Sequence, residues 1–204
     1  MDGAGEALEA ARESYRRRDW AGARERFSAA RAAGELAAAD LDALADAAWW
    51  LGEAEEASAV LEVAYRRYLD HGQPDRAAMA AIGIAVNHLL RGDAVLGSGW
   101  LGRAQRLVRD EPDGVAHGYL LYIELEGALG GDDPAPVVEG ARRVREIGRR
   151  HADPNLAAAG DLFEGRVLVR QGRMAEGMAL LDEAMLACSP ASWPRSTPAT
   201  STAT

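Results

Sequence analysis

The stretch QGRMAEGMALLDEAM, Gln171 to Met185, decides the fold. Ala, Leu, Met and Glu make it a strong helix former, yet Gly177 sits in its interior. Gly there costs roughly 1 kcal/mol relative to Ala, so packing must require it. The pattern recurs upstream in RRDWAGARERFSAA, LGEAEEASAVLEVA, RGDAVLGSGWLGRA and GDDPAPVVEGARRV. Three columns stay in register over the five copies. The first is Ala23, Ala57, Gly97, Val137 and Gly177. The second is Phe27, Leu61, Leu101, Ala141 and Leu181. The third is Ala30, Ala64, Ala104, Val144 and Ala184. Successive copies are 34, 40, 40 and 40 residues apart in every column, a spacing that marks repeat architectures.

The columns fall at i, i+4 and i+7, one face of a helix. Each copy opens with a turn: Arg18-Asp19, Gly52-Glu53, Gly92-Asp93, Gly131-Asp132 and Gly172-Arg173. Gly suits the residue that ends one helix, and an acid favours the start of the next. Each period therefore predicts a helix, a tight turn and a second helix. The first column is small because two helices cross there, at interaxial distances of 8–10 Å. Val137 breaks this column, so the fourth repeat is expected to be splayed or shifted. The third copy, with three Gly in VLGSGWLG, predicts a weak helix.

Composition agrees with an all-α chain. It is 204 residues long and 48% hydrophobic, much of that Ala, with only 6% aromatics. Alternating Val, Ile and Thr, the strand signal, is missing. The net charge of −9 repels phosphate backbones and argues against direct nucleic-acid binding. A lone cysteine, Cys188, leaves no partner for an intrachain disulfide, a usage that fits a cytoplasmic protein. The longest apolar run, AAMAAIGIAV, is short of the ~20 residues a membrane helix needs. The start MDGAGEALEA has no basic and apolar leader pattern.

The repeat resembles the tetratricopeptide repeat family over about residues 4–187. That family places a small residue in helix A as well, and Ala11, Ala45, Ala85 and Gly165 match it, with Leu125 as the fourth-repeat departure. The resemblance implies a right-handed α-solenoid of about five helical hairpins, forming one repeat domain over 1–187, with an uncapped last repeat that invites self-association. It also implies a concave groove lined by helix A, which binds a protein or peptide partner. The matched positions are Arg12, Arg16, Asp42, Asp46, Trp49, Trp50, Met79, Ile82, Val86, Arg166 and Arg170. The groove would run from basic, through acidic-aromatic and apolar, to basic. The Lys/Asn set of the family's chaperone-tail binders is replaced by Leu8, Arg12 and Asp46, against a co-chaperone role.

A narrower likeness joins AAWWLGEAEEASAVLEVAYRRYLDHGQPDRAAMAAIGIAVNHLLRGD, GWLGRAQRLV and GRMAEGMALLDEAM. This order is similar to the N-terminal repeat region of actinobacterial LuxR-type transcriptional regulators, whose arrays precede a C-terminal helix-turn-helix domain. The tail SPASWPRSTPATSTAT cannot continue a helical array and reads as disordered or frameshifted over 188–204. One GC-rich back-translation of 191–204, moved by a nucleotide, reads like the regulators' continuation. The expectation is a truncated regulator lacking its output domain; a stand-alone repeat scaffold is the alternative.

No pattern of residues carries bond chemistry, so the chain is expected to be a non-catalytic interaction or sensing module without cofactor or metal. The four histidines, His71, His88, His117 and His151, lie 17, 29 and 34 residues apart and match no metal-ligand spacing on one helix. GALGGDD is Gly-rich but lacks the Lys-Ser/Thr of a phosphate loop. YRRYLD and GARRVREIGRR read as solvated helix faces laced with acids.

Overall fold

A computed structural model describes residues 2–110 and 113–187. Among these residues there are ten helices and no strand: α1 (Asp2–Arg16), α2 (Trp20–Ala33), α3 (Ala38–Trp50), α4 (Ala54–Asp70), α5 (Pro74–Leu90), α6 (Ala94–Leu107), α7 (Val115–Ala128), α8 (Ala135–Arg150), α9 (Pro154–Arg170) and α10 (Met174–Ala187). They form five consecutive hairpins, the all-α repeat that the columns predict. The expected tail, 188–204, lies outside the described residues. The chain divides into two compact units, one reaching to Ala104 and the other beginning at Gln105. The first holds α1 to α5 and most of α6; the second holds the rest of α6 and α7 to α10.

All five first-column residues are buried, as are Ala11, Ala45, Ala85 and Gly165 of the facing helices. The reason for Gly177 is a backbone crossing. A Cβ there would lie 2.7 Å from Val169 Cγ2 and 2.8 Å from the Gly165 carbonyl oxygen. No side-chain carbon fits so close, and the lost helix propensity is offset by tighter packing of α9 on α10. Gly97 is enclosed in the same way by Leu89 and the Ala85 carbonyl of α5. Around these crossings, Phe27, Leu41, Leu44, Val60 and Ile84 fill the first unit's core. Val144, Ile147, Leu156 and Phe163 fill the second's.

Three of the hairpin turns close on a left-handed glycine. Gly172 has φ 80°, and beyond it the Arg173 amide donates to the Leu168 carbonyl at 2.9 Å, tying off a helix end that would otherwise leave carbonyls unpaired. Gly52 and Gly92 do the same; Arg18, φ 60°, does so without glycine's tolerance. His71 follows the last residue of α4, with Nδ1 2.6 Å from the Arg67 carbonyl.

The fourth repeat is shifted rather than open. Val137 is buried, and the bulk of Leu125 is received one turn later, by Gly140, whose Cβ would stand 2.5 Å from Leu125 Cδ2. The turn joining α7 to α8 spans residues 129–134, twice the length of 51–53, 91–93 and 171–173. Gly131 therefore does not take the left-handed position expected of it. The glycine-rich α6 forms over 14 residues. The tightest approaches to a neighbouring backbone involve glycines outside the aligned columns. In α8 and α9, a Cβ at Gly148 would lie 2.3 Å from the Ala157 nitrogen, and one at Gly160 2.5 Å from the Ala141 carbonyl oxygen.

Crowding separates interior glycines of opposite sign. Gly177→Ala is expected to destabilise the chain by about 1–3 kcal/mol despite alanine's better propensity. Gly99→Ala, in α6 with open space around it, is expected to stabilise by about 0.5–1 kcal/mol. Urea unfolding of the two variants checks this pair; equal effects would remove the packing explanation.

Candidate interaction surface

In the first unit, α1 and α3 lie side by side as helix A of successive repeats, and their polar side chains bond across the gap. The Arg12 guanidinium grips Asp40 with two bonds: Nε and Nη2 each donate to a carboxylate oxygen at 2.8 Å. Asp40 is buried, and this planar two-point contact is what permits a charge there. The same bond strengthens the guanidinium's hold on its proton. One turn on, the Tyr15 hydroxyl donates to Asp46 at 2.6 Å. From α4, the Tyr68 hydroxyl donates to Asp42 at 2.5 Å. Burial, reinforced by the Asp42 charge and bond, pushes the Tyr68 hydroxyl's pKa up.

These bonds hold Asp42 and Asp46 one turn apart on α3. Removal from water pushes Asp46 up to about 7; the Asp42 charge adds to the rise and the Tyr15 bond opposes it. At neutral pH this carboxyl is thus poised between acceptor-only carboxylate and neutral acid.

Aromatic rings continue the surface past the C-terminal end of α3. Trp50 stacks on Trp20 with centroids 5.8 Å apart and planes 10° from parallel, and Tyr15 meets Trp20 edge-on at 5.6 Å. Trp50 is nevertheless 47% exposed, so its outer side is held flat against water. Trp49 is half-buried. Arg16 points along α1 instead, bonding Glu9 at 2.8 Å and Glu13 at 2.9 Å.

On α5, Met79 and Val86 are half-buried, but Ile82, expected to line the groove, is buried in the core. The match to the family's helix-A positions does not carry over to it. Arg166 and Arg170 belong to the second unit and turn back toward earlier elements. Arg166 bonds Glu126 of α7 at 2.8 Å and lies 5.6 Å from the Phe163 ring centroid. Arg170 donates to the Gly131 carbonyl at 3.2 Å. The structure thus brings Arg12, Asp46 and Trp50 together on the first unit, while Arg166 and Arg170 belong to the second.

Asp40, Tyr15, Trp20 and Tyr68 were missed by the sequence reading. Tyr15 was within reach, since it stands three residues beyond Arg12 on the same face of α1. Tyr68 and Asp40 become visible only when neighbouring helices are placed together.

The raised Asp46 pKa has a definite sign. An unfolded Asp ionises near pH 3.9, so between about pH 4 and 7 the folded chain keeps a proton that the unfolded chain has lost. Stability therefore falls as pH rises across this interval. Asp46→Asn, which keeps an acceptor for Tyr15, is expected to raise the unfolding free energy by about 1–3 kcal/mol at pH 8 and to change it little at pH 4. Urea titrations at the two pH values measure this; no gain at pH 8 would contradict it.

No family model matches this sequence, and no curated protein does. Solved structures do match the fold. BtubC from P. vanneervenii is 15% identical, with a TM-score of 0.57 over 90% of this chain and 87% of that one. A putative kinesin light chain from Podosopora anserina, described as having nearly identical TPR-like repeats, is 14% identical, with TM-scores of 0.55 and 0.54 in two structures. Each covers 92% of this chain and 96% or 97% of the other. At such identities the likeness establishes the fold alone: this chain is built of tetratricopeptide-like helical hairpins.

Proposed function

We propose that this chain is a non-catalytic protein-interaction module, and that the α1–α3 surface of its first unit holds a peptide partner. The observation that carries the reading is Trp50, a ring fixed by stacking on Trp20 yet half open to water, beside the carboxyls of Asp42 and Asp46. Rigid aromatic rings are frequent anchors of binding surfaces, because they bring large contact area at little entropic cost. Arg12, Tyr15 and Tyr68 are already bonded to the α3 acids, so the surface is set before any partner arrives. Its chemistry suits a segment with an apolar or aromatic side chain for Trp50 and a Lys or Arg for the acids. Arg166 and Arg170 belong to the second unit.

At finer grain, we infer that the module is the repeat region of a LuxR-type regulator. The likeness of residues 47–93, 99–108 and 172–185 supports this. The stand-alone scaffold reading is supported by the matched structures, whose own chains are covered almost completely by a repeat array of this size. The gene's nucleotide sequence separates the two: a helix-turn-helix frame continuing beyond the codon for Met185 favours the regulator, and its absence favours the scaffold.

Panning a displayed random-peptide library on the chain is expected to enrich sequences with a basic residue beside an apolar or aromatic one. Trp50→Ala should weaken binding of the enriched peptides at least about tenfold, with helicity by circular dichroism unchanged. Peptides that bind equally well after Trp50→Ala would place the interaction elsewhere.

A further inference from the structure

The long turn of the fourth repeat leaves a cavity of about 120 Å³ in the second unit, between residues 129–134 and the C-terminal end of α9. Leu129, Pro134, Val137 and Val167 supply its apolar wall. Arg170 and Asp132 stand at its edge. We propose that this cavity is an anchor pocket for one apolar side chain of a partner polypeptide, immediately followed in that partner by a Lys or Arg.

Size argues first. An apolar cavity of roughly 150 Å³ admits benzene, so this one suits a single ring or branched side chain. Whole small-molecule ligands take roughly 300–1,000 Å³, far more than is available. An isolated anchor side chain inserted from a longer segment is what such a volume accommodates.

Charge argues next. The one cation at the edge, Arg170, is already turned onto the Gly131 carbonyl at 3.2 Å, which props the turn in place. Two exposed carboxylates, Asp132 and Asp133, remain beside the opening. Asp133 is fixed there by accepting the Ala135 amide at 2.9 Å, at the start of α8. An incoming group thus meets an apolar wall and a rim whose net charge is negative, which favours a cationic neighbour and disfavours an acidic one. None of these residues belongs to the α1–α3 surface, so the pocket stands or falls independently of that assignment.

The test is an NMR titration of the isotope-labelled full chain with two capped dipeptides, acetyl-Phe-Lys-amide and acetyl-Phe-Glu-amide. The lysine peptide is expected to shift the amides of Gly131, Asp132, Val167 and Gln171, and to bind at least about fivefold more tightly than the glutamate peptide. Asp132→Lys, at an exposed position that leaves the fold intact by circular dichroism, should weaken the lysine peptide by about tenfold. Trp50→Ala should leave the shifts of these four amides unchanged, whatever it does to amides of α1 and α3. Equal effects of the two peptides on these four amides, no shift of them at all, or indifference to Asp132→Lys would each overturn the proposal.

Discussion

The structure depends on how closely two helix backbones approach. Where α9 meets α10, the Gly165 carbonyl stands within 3 Å of the place a Gly177 Cβ would take. Between α8 and α9, Gly148 and Gly160 bring main chain against main chain. Aromatic residues are scarce, so the cores are built less from bulk than from contact density. Many small side chains let whole helices settle against each other, and dispersion accumulates along their length. The weakness of any one Ala as a hydrophobic group is offset by repetition.

Polar side chains, in turn, join the first helices of neighbouring hairpins in the candidate interaction surface. Arg12 of α1 reaches Asp40 of α3, and Tyr15 reaches Asp46. Removing these donors would leave buried carboxylates unpaired. The fourth repeat departs from the small-residue pattern. Leu125 occupies the place of a small residue, Gly140 takes up its bulk, and the α7–α8 turn lengthens. The irregularity is accommodated locally, and it leaves the one deviation in turn length that opens a cavity.

Much of this was legible in the sequence, because the columns record a geometric requirement that each copy must satisfy separately. Helix count, turn positions and the buried face of every second helix followed from the 34- and 40-residue steps. What escaped were contacts between helices that share no column. Gly148 and Gly160 serve the junction of successive repeats rather than the hairpin itself, so aligning the copies could not single them out. Ile82 was placed in the groove by matching it to the family's helix-A positions, and on α5, whose residues are almost all apolar, nothing in the sequence marks which face is buried. The Arg12–Asp40 and Tyr68–Asp42 bonds join residues 28 and 26 positions apart, with no local signal to announce them. Arg166 and Arg170 matched the helix-A pattern, but their direction is set by Glu126 and the long turn, both in the repeat that departs from the consensus.

Thiol accessibility tests the register of the crossings most directly. In a chain carrying Cys188→Ser, single cysteines are placed at Ala23, Ala57 or Ala104, which are at most 1% exposed, and at the exposed Ala29, Ala59 or Ala179. A water-soluble maleimide should label the first set on the order of 100-fold more slowly than the second under native conditions, and all six equally in denaturant. Comparable native rates at Ala57 and Ala59 would show that the small-residue column faces solvent, and the packing account would be wrong.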